Sequence, residues 1–309
     1  MAMNNALSPS VVKTELDEVF YQKFNRGAHP GYVDATSPLV FMQKTSDSAA
    51  EIMETFKGVS PWGTKDENGD IPEDQSRVDN QKTYNMLTFA SGVELTKEFF
   101  DDNRHNVYEQ TVADFANKAR IGRDDNAFKL FNEGFDSQKT ADGSYIFADD
   151  HTTLGNDTVD NKGTAALSES SLNDAITALI EQKDQAGEVM GNMPETLVVP
   201  PALFKTACEI VESELKSGTA DNDMNVYSSK YNIYVATSPR LGAAAGGSDT
   251  AWFLNTSNKA ATRWVREDLS TYLNDWTATK NQSFFYGGRF REEVGAQDYV
   301  GAWGSLGTA

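Results

Sequence analysis

The period of the apolar positions changes several times along the chain, and each change marks an element. Between Ala49 and Val59, Ile52 and Phe56 stand among polar neighbours, which reads as a strand. A second strand pattern covers 83–95, TYNMLTFASGVEL, where Tyr84 and Met86 alternate before the phase shifts at Leu87–Phe89. The two are separated by a long polar stretch, SPWGTKDENGDIPEDQSRVDNQK. The pattern predicts a long hairpin with a poorly packed tip. A structureless stretch of that length is foreign to a compact domain, so the hairpin calls for a partner elsewhere.

Helical spacing takes over across 101–134. Asp101, Asp102 and Asn103 offer caps and negative charge at the start. Tyr108, Val112, Phe115 and Ala119 fall on one face, and Phe128, Phe131 and Phe135 repeat the spacing. Gly134 offers a stop and Gly122 a place to bend. A continuous helix of that length runs about 50 Å. After a loop-like stretch, Ser168 opens a second helix with Leu172, Ile176, Leu179 and Ile180 as its stripe, and Gly187 and Gly191 close the region.

The segment 196–215, TLVVPPALFKTACEIVESEL, reads as a buried strand, a double-proline turn and an amphipathic helix. Pro201 suits the first helical turn, where its missing N–H is no loss. Leu203, Ala207, Ile210 and Glu214 set the period, with Cys208 beside the apolar face. Strands follow at Tyr231–Thr237 and Trp252–Leu254, separated by LGAAAGGSD. At the N-terminus a short helix candidate, Val11–Phe20, precedes the Gly- and Pro-rich RGAHPGYVDATSPLV, which suggests an extended arm with few local partners. No internal repeat is evident.

Composition narrows the function classes. A chain of 309 residues can bury a sizeable core. Lys and Arg number 27 against 46 Asp and Glu, a net charge of −19, and no basic stripe stands out. That is not the electrostatic footprint of a protein that grips phosphate backbones. The acidity favours solubility, and it equally suits a wall facing packed DNA to which DNA must not stick. No apolar run is long enough to span a bilayer, and no secretory signal is expected. One cysteine excludes an intramolecular disulfide framework and fits a reducing cytoplasm.

Candidate chemistry is sparse. DENGD at 66–70 is calcium-loop-like, but its glycine comes too early for an EF-hand, so a polar turn is expected. His151 follows Asp149 and Asp150 without a nucleophile motif, and reads as part of a solvated loop. His105 lies at a helix start, Cys208 has no companion histidine, and GTADN and GAAAGG follow no phosphate-loop order. No catalytic residue, cofactor site or metal site is expected. Trp62 and Ile71 are odd in a polar loop, and serve either as loop anchors or as docking points on a neighbouring subunit. With Lys65 and Arg77 they are the candidate inter-subunit contacts.

The order of elements resembles the HK97-fold coat proteins of tailed phages, an α+β fold. Three stretches carry the resemblance: ANKARIGRDDNAFKLFNEGF at 116–135 looks like the end of that family's spine helix, and TLVVPPALFKTACEIVESEL at 196–215 like the strand–turn–helix of its axial domain. Both, with ALSESSLNDAITAL at 166–179, are similar to the Mu-type major head subunits. The resemblance implies an N-terminal arm over 1–35 and an extended loop over 49–92. It implies a peripheral domain from 36–48, 93–140 and 262–309, and an axial domain over 141–261. It further implies hexamers and pentamers around the axial domains, with each extended loop lying across a neighbour's peripheral domain. The shell would enclose double-stranded DNA without sequence-specific binding, in a virion assembled in the host cytoplasm and away from membranes.

Some members crosslink a loop lysine to an asparagine of another subunit. Lys65 is a loop lysine, but no matching asparagine with a nearby acid is identifiable, so a non-crosslinked shell is expected. The arm is too short to hold a scaffolding region, which implies a separate scaffold or portal protein. Two other readings stand beside this one. An encapsulin-like nanocompartment shares the fold but holds cargo enzyme, and a soluble hydrolase would use the Asp149–Asp150–His151 cluster.

Overall fold

The computed structural model describes residues 9–25, 29–59, 62–71, 73, 77–96, 98, 107–155, 157–213, 225–274 and 283–308. Helix α1 (Pro9–Phe24) opens the described chain, and Val12, Leu16, Phe20 and Phe24 repeat every fourth residue on its buried face. It is followed by β1 (Met42–Thr45) and a hairpin of β2 (Ala50–Lys57) and β3 (Arg77–Asn85). Strand β4 (Leu87–Thr96) resumes after the single residue Met86. The spine helix α2 (Val107–Asn132) comes next. Its 26 residues run about 39 Å.

The second half of the chain is α/β. Short strands β5 (His151–Thr152), β6 (Thr158–Val159) and β7 (Lys162–Gly163) lead to α3 (Glu169–Ile180). Strand β8 (Pro194–Val199), helix α4 (Pro201–Val211) and strand β9 (Tyr234–Thr237) follow. The chain closes with β10 (Trp252–Thr256), β11 (Ala261–Asn274), β12 (Ser283–Ala296) and β13 (Ala302–Ser305).

Two main sheets result. One has the order β1-β11-β12-β4, antiparallel except for β1 beside β11. The other has the order β7-β13-β10-β8-β9. Strand alternation divides the second sheet between two cores. Trp252 and Leu254 of β10 face the cluster with Leu172, Ile176 and Leu179 of α3 and Ala207 of α4. Phe253, between them, faces the opposite cluster with Phe128, Phe131 and Phe147. That cluster also takes Val294 and Ala296 from β12, so it is where the two sheets and the spine helix meet. A third cluster docks α1 on α2 and the long strands through Phe20, Phe115 and Tyr286.

Several expectations from the sequence are refined. The spine helix is uninterrupted at Gly122, whose Cβ position borders open space. Asp101–Asn103, His105 and GTADN lie outside the described residues. The strand expected over 83–95 is two strands that part at Met86, and β3 begins earlier, at Arg77. Tyr231 ends a π-helical turn, and the strand begins at Tyr234. The few local partners expected at the N-terminus are matched by distant ones, which hold α1. Its Asp17 accepts hydrogen bonds from Thr271 Oγ1 at 2.6 Å and Tyr286 OH at 2.8 Å. Ser168 caps α3 as its sequence suggests, through a reciprocal box with Ser171. Pro201 takes the first turn of α4.

Candidate assembly interface

The hairpin β2–β3 leaves the body of the molecule from a fixed root. Met86 N–H donates to Ala49 O at 3.0 Å, and Gln297 Nε2 donates to Glu54 O at 3.1 Å. Tyr84 is the main anchor. Its hydroxyl donates to Ala296 O at 2.6 Å and accepts from Ala296 N at 3.1 Å, while its ring stacks on Trp264. Burial pushes that phenol well above its ordinary range, so it stays a neutral donor. Met53 packs beside Tyr84, Met86 and Trp264, which closes the inner side of the root.

The outer side of the hairpin is open. Ile52 pairs with Thr83 and Phe56 with Val78, across a bulge between Thr55 and Phe56. Ile52 is 56% exposed and Phe56 54%, and Val78 is exposed beside Phe56. Beyond the strands, Trp62 is 100% exposed and Ile71 is 74% exposed. Neither anchors its loop against the body. Lys65 is also exposed, and its ammonium reaches only the Asp66 carbonyl at 3.5 Å. Arg77 is the first residue of β3, opposite Lys57. The structure thus brings the four sequence-picked residues onto one hairpin, and it adds Ile52 and the Phe56–Val78 pair as an apolar stripe interrupted by the Glu54–Gln81 pair. Leaving such a stripe in water forgoes about 25 cal/mol per Å² of burial, and patches of this kind mark interaction surfaces.

A surface that can receive a partner lies on the outer face of the four-stranded sheet. Gly92 of β4 and Gly287 of β12 face each other, and a Cβ on Gly92 would collide with the ring of Phe285. A Cβ on Gly287 would collide with Tyr272. The ends of both rings therefore lie over glycines, and the rings stay partly exposed, which makes a small apolar patch. Sequence reading passed over this patch. Its only signal is glycine at strand positions whose neighbours across the ladder are aromatic. Val189, Met190 and Met193 form a second exposed apolar group, at the turn after α3.

The calcium-like DENGD is a turn closed by Gly69 N–H to Asp66 O at 3.0 Å, with Asn68 in the left-handed region at φ 66°. His151 is a correction. It was expected in a solvated loop beside Asp149 and Asp150, but it is fully buried. Its Nδ1 meets Asp142 Oδ2 at 2.7 Å, and its ring stacks on Tyr299. Hydrogen bonds from Thr140 and His151 outweigh burial and hold the Asp142 carboxyl below its ordinary value. Asp149 and Asp150 take no part in that pair. Among the described residues no cluster of His, Cys, Asp or Glu could hold a metal ion, and no helix is long and apolar enough to cross a membrane.

Comparison with known proteins places these features. The family described as phage capsid protein matches residues 79–304. No curated protein sequence matches the chain. Among solved structures, the virus-like particle of Pyrococcus furiosus is 12% identical with a TM-score of 0.56, covering 94% of this chain and 98% of that one. The capsid of the cyanophage P-SCSP1u is 13% identical with a TM-score of 0.57, covering 91% and 90%. The capsid of a native GTA particle is 13% identical with a TM-score of 0.56, covering 91% of each chain. The fold is HK97-like, as the order of elements in the sequence implied.

Proposed function

The chain belongs to the phage capsid protein family, and on that premise we propose that it is a major head subunit whose copies assemble into hexamers and pentamers of an icosahedral shell around double-stranded DNA. The observation that carries this reading is the hairpin β2–β3, firmly rooted by Tyr84 yet apolar on its outward side. A side chain such as Trp62 gains by burial only when another molecule supplies the cover.

In the proposed arrangement the hairpin, within an extended loop over 49–92, crosses the peripheral domain of a neighbour (36–48, 93–140 and 262–309). The axial domains (141–261) gather around the symmetry axes, and the arm covers 1–35. The giving and receiving surfaces differ, so the contact is heterologous and closes into rings when the rotation allows. The work is assembly rather than catalysis. The net charge of −19 keeps the inner wall from holding the genome, which leaves DNA free to move in and out. A separate scaffold or portal protein directs assembly in the host cytoplasm, and the finished shell is a virion component without crosslinks.

Electron microscopy of the purified full-length protein, with nuclease protection of its contents, tests the proposal. Closed icosahedral particles holding nuclease-resistant double-stranded DNA are expected. Monomers alone would overturn the assembly reading. Shells filled with a cargo protein and free of nucleic acid would overturn the DNA reading in favour of a nanocompartment.

A further inference from the structure

The outward face of β12 carries two kinds of group in one line. Alternation puts Phe285, Gly287, Arg289 and Arg291 on that face, while Phe284, Tyr286 and Phe290 are buried on the other, where Tyr286 meets Phe20 of α1 and Phe115 of α2. From Phe285 to Arg291 the line runs about 20 Å. Its first part is the apolar patch of Tyr272 and Phe285 over Gly287 and Gly92. Its last part is basic. Arg291 stands opposite Glu267 of β11, and Arg266 is the extra residue of the bulge between Val265 and Glu267. The two arginines are therefore neighbours across the ladder.

These arginines lack acids of their own. Glu267 is taken by Arg289 at 2.8 Å, and Glu293, next along the face, has Lys82 and Lys129 near it. Among the described residues neither Arg266 nor Arg291 makes an ion pair. Both are only partly exposed, and Arg266 Nη1 and Arg291 Nε are shut off from water without an acceptor. A guanidinium that has lost part of its hydration and gained no acceptor is a cost to the subunit, and a carboxylate brought to it offsets that cost. In a chain of 46 acidic and 27 basic residues, counter-charges are plentiful, so two adjacent arginines without one stand out. The opposite imbalance lies at the hairpin tip. Asp66, Glu67, Asp70 and Glu73 are exposed and without ion pairs among the described residues, against the single cation Lys65. The turn closed by Gly69 N–H to Asp66 O gathers the first three, with Trp62 before them and Ile71 after.

We propose that Arg266 and Arg291 are the receptor for the acidic hairpin tip of a second copy of this chain: Asp66, Glu67 and Asp70 meet the two guanidinium groups, and Trp62 covers the Tyr272–Phe285 patch. The proposal rests on the assembly reading and names the surface on which the hairpin lands. The tip carries in one segment both groups that this face lacks, free carboxylates and an exposed ring. The chain's own hairpin is rooted at the other end of β12, where Tyr84 lies over Gly295, and its tip makes no ion pair with either arginine. Between subunits that each carry −19, opposite charges matched at one place also select the register, since a seating that puts the tip on an acidic face is repelled.

The test is a charge swap in the full-length protein, read as the lowest concentration that yields particles in light scattering and electron microscopy. Arg266→Glu with Arg291→Glu should raise that concentration by roughly tenfold or more. Asp66→Lys with Asp70→Lys should do the same, and both positions are exposed, so this pair keeps the proposal open to refutation even where the arginine pair disturbs the fold. All four changes in one chain should restore most of the loss. Assembly of the tip pair at the unsubstituted threshold would overturn the receptor, and so would a fourfold variant no better than either pair alone. Shells that form normally after the arginine changes but hold less DNA would also overturn it, and would assign the arginines to phosphate contact instead. An unsubstituted protein that gives no particles at any concentration removes the assembly reading itself, an outcome distinct from all of these.

Discussion

The hairpin β2–β3 and the five-stranded sheet solve the same problem in opposite ways. Every residue of β10 is buried, and Trp252, Phe253 and Leu254 find their partners within the chain. Strand β2 is as apolar at Ile52 and Phe56, but both side chains stay exposed among the described residues. One region is closed by its own sequence; the other, in the proposed shell, is finished by a neighbour. If the hairpin is the assembly contact proposed above, folding and assembly draw on separate sets of apolar residues, and substitutions should separate the two.

The largest expected effect falls on the closed region. Trp252→Ala should cost about 3–5 kcal/mol of stability in urea unfolding, since it leaves a cavity between α3 and the sheet. Paired replacement of Ile52 and Phe56 by Ser should move stability by less than about 0.5 kcal/mol, because both side chains already face water. The same pair should abolish particles in electron microscopy. Equal losses of stability in both variants would erase the contrast.

An intermediate effect is expected at the border of the two regions. Tyr84→Phe removes both hydrogen bonds to Ala296 and leaves its N–H and carbonyl unpaired, a loss of about 1–3 kcal/mol. Hydrogen exchange should show the loss concentrated at the hairpin root, with the five-stranded sheet unchanged. The smallest effect is a null one. Lys65→Arg should leave purified particles dissociating to a single monomer band on a denaturing gel, the same outcome as expected for the unsubstituted protein. A ladder of covalent oligomers that the substitution abolishes would show a lysine crosslink after all.

Much of the closed region was legible in the sequence because its signals are local. Ser168 with Ser171, Pro201 after Pro200, and the spacing of Val112, Phe115, Phe128 and Phe131 each act within a turn or two. The features that were missed join residues far apart in the chain. His151 looked solvated because the ring that covers it belongs to Tyr299, and the carboxylate that holds it is Asp142 rather than its adjacent acids. Helix α1 showed few local partners because those that hold it, Thr271 and Tyr286, lie far along the chain. The hydrogen-bonded series Asp124, Ala35, Gln43, Arg263 and Glu292 reads from no local pattern at all, since its members lie far apart in the chain. On the hairpin the sequence showed which residues were out of place, Trp62 and Ile71, but not that exposed apolar positions recur at Phe56 and Val78.

Only Met86 separates the outer strand of the hairpin from β4, and this has a mechanical consequence. A pull on the hairpin along its strand enters β4 at Leu87 and is resisted by the whole ladder from Leu87↔Glu292 to Thr96↔Ser283. Loaded in that direction, the ladder shears as a unit instead of unzipping bond by bond. A strap stitched to the body by a flexible loop would stretch first and share no load. In the proposed shell, pressure from within, spread over many copies, would become tension along continuous strands, and the part of the subunit that looks least finished is the one shaped as a tie rod.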